Sequence, residues 1–237
     1  MRRRGKNRQR AATHRKNSPI FGILTGIAGF FFLLTCSVVL VLNFRPLYYY
    51  DVQSLHLSKK TGLSEEMICR NYDVLIDYNL FWKGEDTLAF PDFPMSEQGR
   101  IHFEEVKRIF VALQYGMIVM LILFTGGIIW NVRRRSFEFL RATAVTSLVI
   151  PAVLGALVAM NWERFFIGFH KLMFSNDYWL FDPARDPVIL ILPDEFFFHC
   201  AAAVIVCLAA GGIFCEMVYR AVRRKEYTYT KTMEDGK

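Results

Sequence analysis

Two histidines, far apart along the chain, are the residues best suited to proton-transfer chemistry. His102 lies in the segment RIHFEEVK, residues 100–107, and His170 lies in a run of aromatic residues that ends at Ser175. A neutral imidazole can accept a proton near neutral pH and return it, as a general base and acid must do. A lone histidine in an aromatic helix is more often a packed, hydrogen-bonded side chain, so the residue types alone leave a structural role open.

Two other classes of function use the same part of the sequence. Ser175 could act as the nucleophile of an ester hydrolase, with His170 as its base and Asp177 as the third member of a triad. No G-x-S-x-G turn accompanies this serine, which weakens a covalent mechanism. The third class is a non-enzymatic adaptor, or a metal-binding protein that uses His102, His170 and nearby acids.

The segment around His170 has the composition of a pocket wall. It is aromatic and acidic, and Asp-Pro pairs at Asp182 and Asp186 predict turns that fix the path of the chain. At helical spacing, one face carries only apolar side chains, which are Phe166, Phe169, Met173 and Phe174. Such a segment is more typical of a binding site than of a simple connector.

The elements that position these residues are predicted to be membrane-spanning helices. Hydrophobic residues make up 53% of the 237-residue chain, and the mean hydropathy is +0.23, which is high for a soluble domain. Four apolar runs can each cross a hydrocarbon core of about 30 Å as a helix. They lie at residues 20–42, 110–130, 142–162 and 196–219. The predicted fold class is an all-α polytopic membrane protein with a small helical and irregular extracytoplasmic cap.

The distribution of charge predicts which side of the membrane each segment occupies. A net charge of +13 is carried by the arm 1–19, the loop 131–141 and the tail 220–237 counted with Glu216. The two remaining loops, 43–109 and 163–195, carry a net charge of −6. Basic segments next to spans stay in the cytoplasm, so both termini are predicted to be cytoplasmic and the two acidic loops extracytoplasmic. We interpret the arm as a topology signal and not as a nucleic-acid-binding patch.

Two serines in the first outer loop predict helix starts. Ser64 precedes two glutamates, and apolar residues recur at helical spacing after it. Ser96 is the expected cap of a second helix, which continues through His102 into the second span. This arrangement predicts that His102 lies about two turns above the membrane.

The residues around His170 resemble the signature of a known family. The stretch FHKLMFSNDYWLFDPARDP, residues 169–187, together with Leu192-Pro193 and the phenylalanines at 196–198, is similar to the bacterial lipoprotein intramolecular transacylase family, Lit. The segment 100–107 is similar to that family's other histidine-containing motif. Length and predicted topology agree with the family, and the similarity extends from about residue 20 to residue 219.

The resemblance implies an acyltransferase of the Gram-positive cell membrane that needs no cofactor and no metal. Such an enzyme moves the sn-2 acyl chain of a lipoprotein's diacylglyceryl group onto the α-amino group of the same lipidated cysteine. The product is a lyso-form lipoprotein. The implied partners are diacylated lipoproteins and membrane lipid, with no nucleic acid.

The resemblance also implies roles for particular residues. His102 and His170 become the catalytic histidines, which must then converge in space. Asp177 would fix the tautomer of His170, and Tyr178 or backbone N–H groups would serve the oxyanion and the leaving oxygen. The residues expected to contact substrate are Phe169, Phe174, Ser175, Asn176, Trp179, Asp182 and Arg185. Acyl chains are expected to lie along the phenylalanines at 165, 166, 169, 174 and 196–198.

Overall fold

The structure, a computed structural model, describes residues 19–235, and every regular element within that range is helical. The α-helices are α1 Pro19–Asn43, α2 Arg45–Ser54, α3 Leu57–Thr61, α4 Glu65–Tyr78, α5 Glu97–Arg133, α6 Glu138–Met160, α7 Trp162–Met173 and α8 Asp194–Asp235. Two 3₁₀ turns are Phe81–Lys83 and Pro187–Ile191. The predicted all-α fold class is confirmed. The basic arm predicted at residues 1–19 lies outside the described residues except for Pro19.

Four helices, α1, α5, α6 and α8, are long and apolar enough to cross a membrane. With 37 residues in α5 and 42 in α8, both are about twice as long as a hydrocarbon core is thick. The first twelve residues of α5, 97–108, include six charged side chains, which hydrocarbon does not accommodate. This charged end therefore projects beyond the apolar part of α5 and holds His102 outside the membrane-spanning segment.

Small and hydroxylated residues allow the spans to pack closely. A Cβ on Gly26 of α1 would lie 2.5 Å from the Cβ of Ala142 in α6. Hydrogen bonds cross the same contacts, because Thr143 donates to the Gly26 carbonyl at 3.2 Å and Asn131 donates to the Thr25 hydroxyl at 3.0 Å. Close backbone approach and interhelical hydrogen bonds are how membrane helices associate. Helix α1 is thus fastened to both α5 and α6.

The cap consists of α2 to α4, the chain on to α5, α7 and the loop before α8, and it has a hydrophobic core of its own. Tyr48 of α2 stacks on Tyr72 of α4 with ring centroids 3.6 Å apart, and both rings meet Phe196 of α8 edge to face. The fully buried Tyr48 hydroxyl donates to the Ile191 carbonyl at 2.7 Å, so its polar end is satisfied. The cap and the start of α8 therefore share one core.

Both predicted helix starts in the first outer loop are confirmed. The Ser64 hydroxyl accepts from the backbone N–H of Met67 at 3.2 Å, and the Ser96 hydroxyl accepts from Gly99 at 3.0 Å. The carboxylate of Asp186 in turn accepts from the N–H and the hydroxyl of Ser96, both at 2.7 Å. Asp186, expected only to form a turn, therefore also ties the second outer loop to the beginning of α5.

Gln114, the strongly polar side chain within the second span, is buried and hydrogen-bonded. Its amide nitrogen donates to the carbonyls of Asn79 at 2.8 Å and Phe110 at 3.0 Å, and its oxygen accepts from the N–H of Phe81 at 3.2 Å. A buried amide is tolerated when both of its ends are paired. Gln114 thereby holds the end of α4 against α5.

Candidate active site

Helices α5 and α7 bring the two predicted histidines together. The ring centroids of His102 and His170 are 6.3 Å apart, and the ring planes are inclined by 30°. His170 lies in the last turn of α7, a helix that begins after Asn161, whose side chain accepts from the N–H of Arg164 at 2.8 Å. The prediction that these histidines converge is confirmed.

Aromatic side chains surround both imidazoles. The nearest rings, with centroid distances, are Phe174 and Phe181 at 4.7 and 5.4 Å from His102, and Phe166 and Trp179 at 4.2 and 4.7 Å from His170. Only 5% of His102 is exposed. Water is therefore largely excluded from the His102 imidazole, and a positive charge on that ring is poorly solvated.

One hydrogen bond fixes the tautomer of His170. Its Nδ1 lies 2.8 Å from the carbonyl oxygen of Phe166, one turn earlier in α7. A carbonyl only accepts, so Nδ1 carries the hydrogen and Nε2 of the neutral ring keeps a lone pair for a proton. The expectation that Asp177 orients this ring is wrong, because the backbone of α7 does so and the Asp177 side chain is exposed.

Burial keeps both imidazoles neutral at pH 7. Burial, with a smaller contribution from the charge of His170, lowers the pKa of His102 to about 4. Burial also lowers the pKa of His170, although the hydrogen bond to Phe166 and the negative charge of Asp194 oppose this shift. Within residues 19–235, the buried Nδ1 of His102 has no hydrogen-bond partner.

The other predicted site residues divide into those near the histidines and those in the adjoining turn. Phe169 lies beside His170 with ring centroids 5.6 Å apart, and Phe174 and Trp179 also contact this ring. Asp182 accepts from the N–H of Ala184 at 3.0 Å with its carboxylate, and both Asp182 and Arg185 are exposed. These two residues form a turn at the surface and do not line the histidine pair.

Besides Asp177, three predicted polar residues follow Phe174 in the same motif, which are Ser175, Asn176 and Tyr178. Asn176 donates through Nδ2 to both carboxylate oxygens of Glu105 at 3.0 and 3.2 Å, and its own oxygen accepts from the N–H of Tyr178 at 3.0 Å. Tyr178 is half-buried, and Ser175 is exposed. Among the described residues, no hydrogen bond joins Ser175 to an imidazole, as a serine nucleophile and its base require.

Two features of the site carried no prediction. Glu105 lies three residues after His102, which puts both on one face of α5, and that spacing was the available signal. The second feature is the hydrogen bond from Nδ1 of His199 in α8 to the carboxylate of Asp51 in α2, at 2.8 and 2.9 Å. No spacing in the sequence points to that pair, because 148 residues separate its members.

A cavity of about 450 Å³ adjoins the histidine pair. One wall is formed by Glu105, Arg108 and Ile109 of α5, and the other by residues 171–175 at the end of α7. Phe174 lines this cavity and also contacts both histidine rings, with centroids 4.7 Å from His102 and 5.7 Å from His170.

Comparison with known proteins identifies the family. The sequence profile of the lipoprotein intramolecular transacylase Lit matches residues 23–197. The chain belongs to the Lit family. A search among curated proteins finds no match.

Solved structures of a Lit enzyme agree with this assignment. The membrane-integral lipoprotein intramolecular transacylase Lit from Bacillus cereus superposes with a TM-score of 0.86 and 34% identity, covering 89% of this chain and 97% of the other. Two variants of the same Bacillus cereus protein, with one histidine replaced by arginine or by alanine, each superpose with a TM-score of 0.80. Those matches also cover 89% of this chain, at 34% identity.

Membership of the Lit family makes the chain an acyltransferase and a multi-pass membrane protein. The adaptor hypothesis is therefore set aside. Neither the family assignment nor a hydrogen bond from Ser175 to an imidazole among the described residues supports a hydrolase with Ser175 as its nucleophile. Among residues 19–235, no three His, Cys, Asp or Glu side chains are grouped as metal ligands.

Proposed function

We propose that this protein moves the sn-2 acyl chain of a diacylglyceryl-cysteine lipoprotein onto the α-amino group of the same cysteine, by general acid–base catalysis without an acyl-enzyme. The observation that carries this proposal is the pair of neutral imidazoles, 6.3 Å apart, in an aromatic site above the apolar part of α5. Because the ester and the nucleophile belong to one molecule, the main task of the enzyme is to hold them in attack geometry.

The proton balance of this reaction matches the two histidines. An α-ammonium group, with an ordinary pKa of about 7.7–8.0, must lose two protons to become an amide nitrogen. One proton goes to the glyceryl oxygen as the ester C–O bond breaks and the C–N bond forms, and the other is released through a base. No electrons are gained or lost, so the reaction itself calls for no redox cofactor.

His170 is the general base in this proposal. Its Nε2 lone pair is free because Nδ1–H donates to the Phe166 carbonyl. His102 is the second proton-transfer group, and it serves the leaving glyceryl oxygen. Its Nδ1 has no hydrogen-bond partner among the described residues. The half-buried Tyr178 remains a candidate donor to the oxyanion. Asp177 remains a candidate only as an exposed carboxylate, without a hydrogen bond to either imidazole among the described residues.

The acyl chains are expected to lie between α7 and the start of α8. Phe166 packs on Phe197 with ring centroids 5.6 Å apart, and Trp162 packs on Phe198 at 5.5 Å. These aromatic contacts form an apolar surface that continues from the histidines toward the membrane-spanning helices. An acyl chain on this surface would bury apolar area at about 25 cal/mol per Å².

The proposed function predicts a change of lipoprotein form in a suitable host. Expression in a bacterium that makes diacyl lipoproteins with free amino termini should convert them to N-acylated lyso forms. Mass spectrometry of the N-terminal lipopeptides measures this conversion, and the His170→Ala variant is the control. Unchanged diacyl lipopeptides, with the protein present in the membrane, would refute the assignment.

We further propose that both termini are cytoplasmic and that the active site faces outward, in the cell membrane of a Gram-positive bacterium. The charge difference between the two sets of loops supports this orientation. A reporter active only outside the cytoplasm should be active when inserted after Glu85, in the exposed loop between α4 and α5. The same reporter inserted after Arg135, between α5 and α6, should be inactive. The reverse pattern would overturn the orientation.

A further inference from the structure

We propose that Glu105 binds the α-ammonium group of the lipidated cysteine, so that the site recognises the charged substrate and releases the uncharged product. This inference rests on the proposed function. Glu105 lies one helical turn from His102 and lines the cavity beside the histidine pair. A cation held there lies close to the imidazoles that must remove its protons.

The carboxylate of Glu105 is held in place without being neutralised. Its only hydrogen-bond partner within residues 19–235 is the Asn176 side chain, whose single nitrogen donates to both oxygens. A carboxylate offers about four lone-pair positions, so capacity remains for the N–H groups of an ammonium ion. Among the described residues, no cationic side chain forms an ion pair with Glu105, although Arg108 and Lys171 line the same cavity.

Neighbouring carboxylates of α5 are used differently. Glu97 and Glu104 both pair with Arg100 on the exposed side of the helix. Glu105, at the next position, lines the cavity and accepts a hydrogen bond from Asn176, three residues after the end of α7. On α5, the carboxylate of Glu105 therefore lines the cavity without an ion-pair partner among the described residues. The carboxylates of Glu97 and Glu104 are paired with Arg100 on the exposed side.

The reaction itself removes the charge that Glu105 recognises. The substrate nitrogen arrives as an ammonium ion and leaves as a neutral amide. At the same time the sn-2 ester of the glyceryl group becomes a hydroxyl group. Charge-assisted hydrogen bonds are about twice as strong as neutral ones, so the product loses its strongest polar contact at the moment it forms. Arg108 and Lys171, on the same cavity walls, repel a cation but suit the ester and peptide carbonyl oxygens around it.

Two lipopeptides that cannot react test this inference. In both, the sn-2 ester is replaced by an ether; one has a free α-amino group and the other is N-acetylated. The wild-type protein in detergent micelles should bind the amine at least about tenfold more tightly than the acetylated compound. The Glu105→Gln variant should bind both equally, and Glu105→Asp, which keeps the charge, should retain most of the preference.

Two matched controls keep the outcome specific. Glu104→Gln, on the same helix but paired with Arg100, and Asp194→Asn, the exposed carboxylate near His170, should leave the preference unchanged. Equal binding of both compounds by the wild-type protein, or a preference that survives Glu105→Gln, would overturn the inference. A preference that only Asp194→Asn removes would overturn it as well.

Turnover of the natural ester separates this inference from the proposed function. For Glu105→Gln, KM should rise by about tenfold with a smaller change in kcat, because ground-state binding of the ammonium is lost. If the wild-type protein forms no N-acylated product, the proposed function fails whatever the ether analogues show. If the wild-type protein turns over and Glu105→Gln leaves KM unchanged, only the role of Glu105 fails.

Discussion

The His170→Ala variant should lose about two to four orders of magnitude in the rate of N-acylated product formation, since that is the usual contribution of a positioned general base. His170 holds a free Nε2 lone pair beside the aromatic site because its Nδ1–H is committed to Phe166. His102→Ala should cause a loss of similar size if both proton transfers limit the rate. The measurement is the initial rate with a diacylglyceryl lipopeptide, followed by mass spectrometry.

Ser175→Ala is the matched control for the histidine variants. Ser175 borders the cavity and is exposed, yet no hydrogen bond among the described residues links it to an imidazole. Its replacement should leave the rate within a few-fold of the wild-type value. A rate that collapses with Ser175→Ala but survives His170→Ala would contradict the mechanism and favour a serine nucleophile.

The same histidines set the acid side of the pH profile. Burial lowers the pKa of His102 to about 4 and also lowers the pKa of His170 below its ordinary 6.5. Each imidazole is active when neutral, so activity is present above its lowered pKa and is lost as the pH falls through it. We therefore expect kcat/KM to fall only below about pH 6.5. A fall that begins near pH 8 would show instead that the amine must be deprotonated before binding.

The sequence predicts the elements well and their contacts poorly, for a physical reason. Apolar runs are sufficient to predict the spans, because hydrocarbon tolerates only internally paired helices. Ser96 and the polar helix after it predict that α5 starts well before its apolar part, and this extension carries His102 to the site. Such features depend on residues a few positions apart, which a reader of the sequence can see.

Contacts between distant segments decide the details of the site. The role expected of Asp177 was wrong because the carbonyl of Phe166, invisible to side-chain patterns, already occupies Nδ1 of His170. Asp186 was expected to form a turn, yet its carboxylate caps the helix that carries His102 by binding Ser96, 90 residues away. Turn chemistry is local, whereas the partner of a buried carboxylate depends on how the loops meet.

The contact between the buried Asp51 and the half-buried His199 leads to the second large expected effect. Asp51 of α2 has no exposed surface, and Nδ1 of His199 donates to its two oxygens at 2.8 and 2.9 Å. The Ser54 hydroxyl adds a longer bond of 3.4 Å. The His199 side chain is 37% exposed, whereas the Asp51 carboxylate is buried, and leaving a buried acceptor without its hydrogen-bond partner costs about 1–3 kcal/mol.

His199→Ala should therefore lower the free energy of unfolding by about this amount and reduce the melting temperature of the protein in detergent by several degrees. Glu104→Ala, which breaks an exposed pair with Arg100, is the control and should leave the melting temperature nearly unchanged. Asp51→Asn with His199→Ala completes a double-mutant cycle. Additive effects of these two changes would show that the pair contributes nothing as a pair.

Loss of this contact should reach the active site through α8. His199 follows Phe197 and Phe198, and these two rings pack on Phe166 and Trp162 of α7. Phe166 supplies the carbonyl that orients His170, so an α8 released from α2 no longer holds α7 firmly. We expect His199→Ala to lower kcat even below its melting temperature, while Glu104→Ala does not. A His199→Ala protein with wild-type kcat would show that the position of α7 does not depend on the contact between α8 and α2.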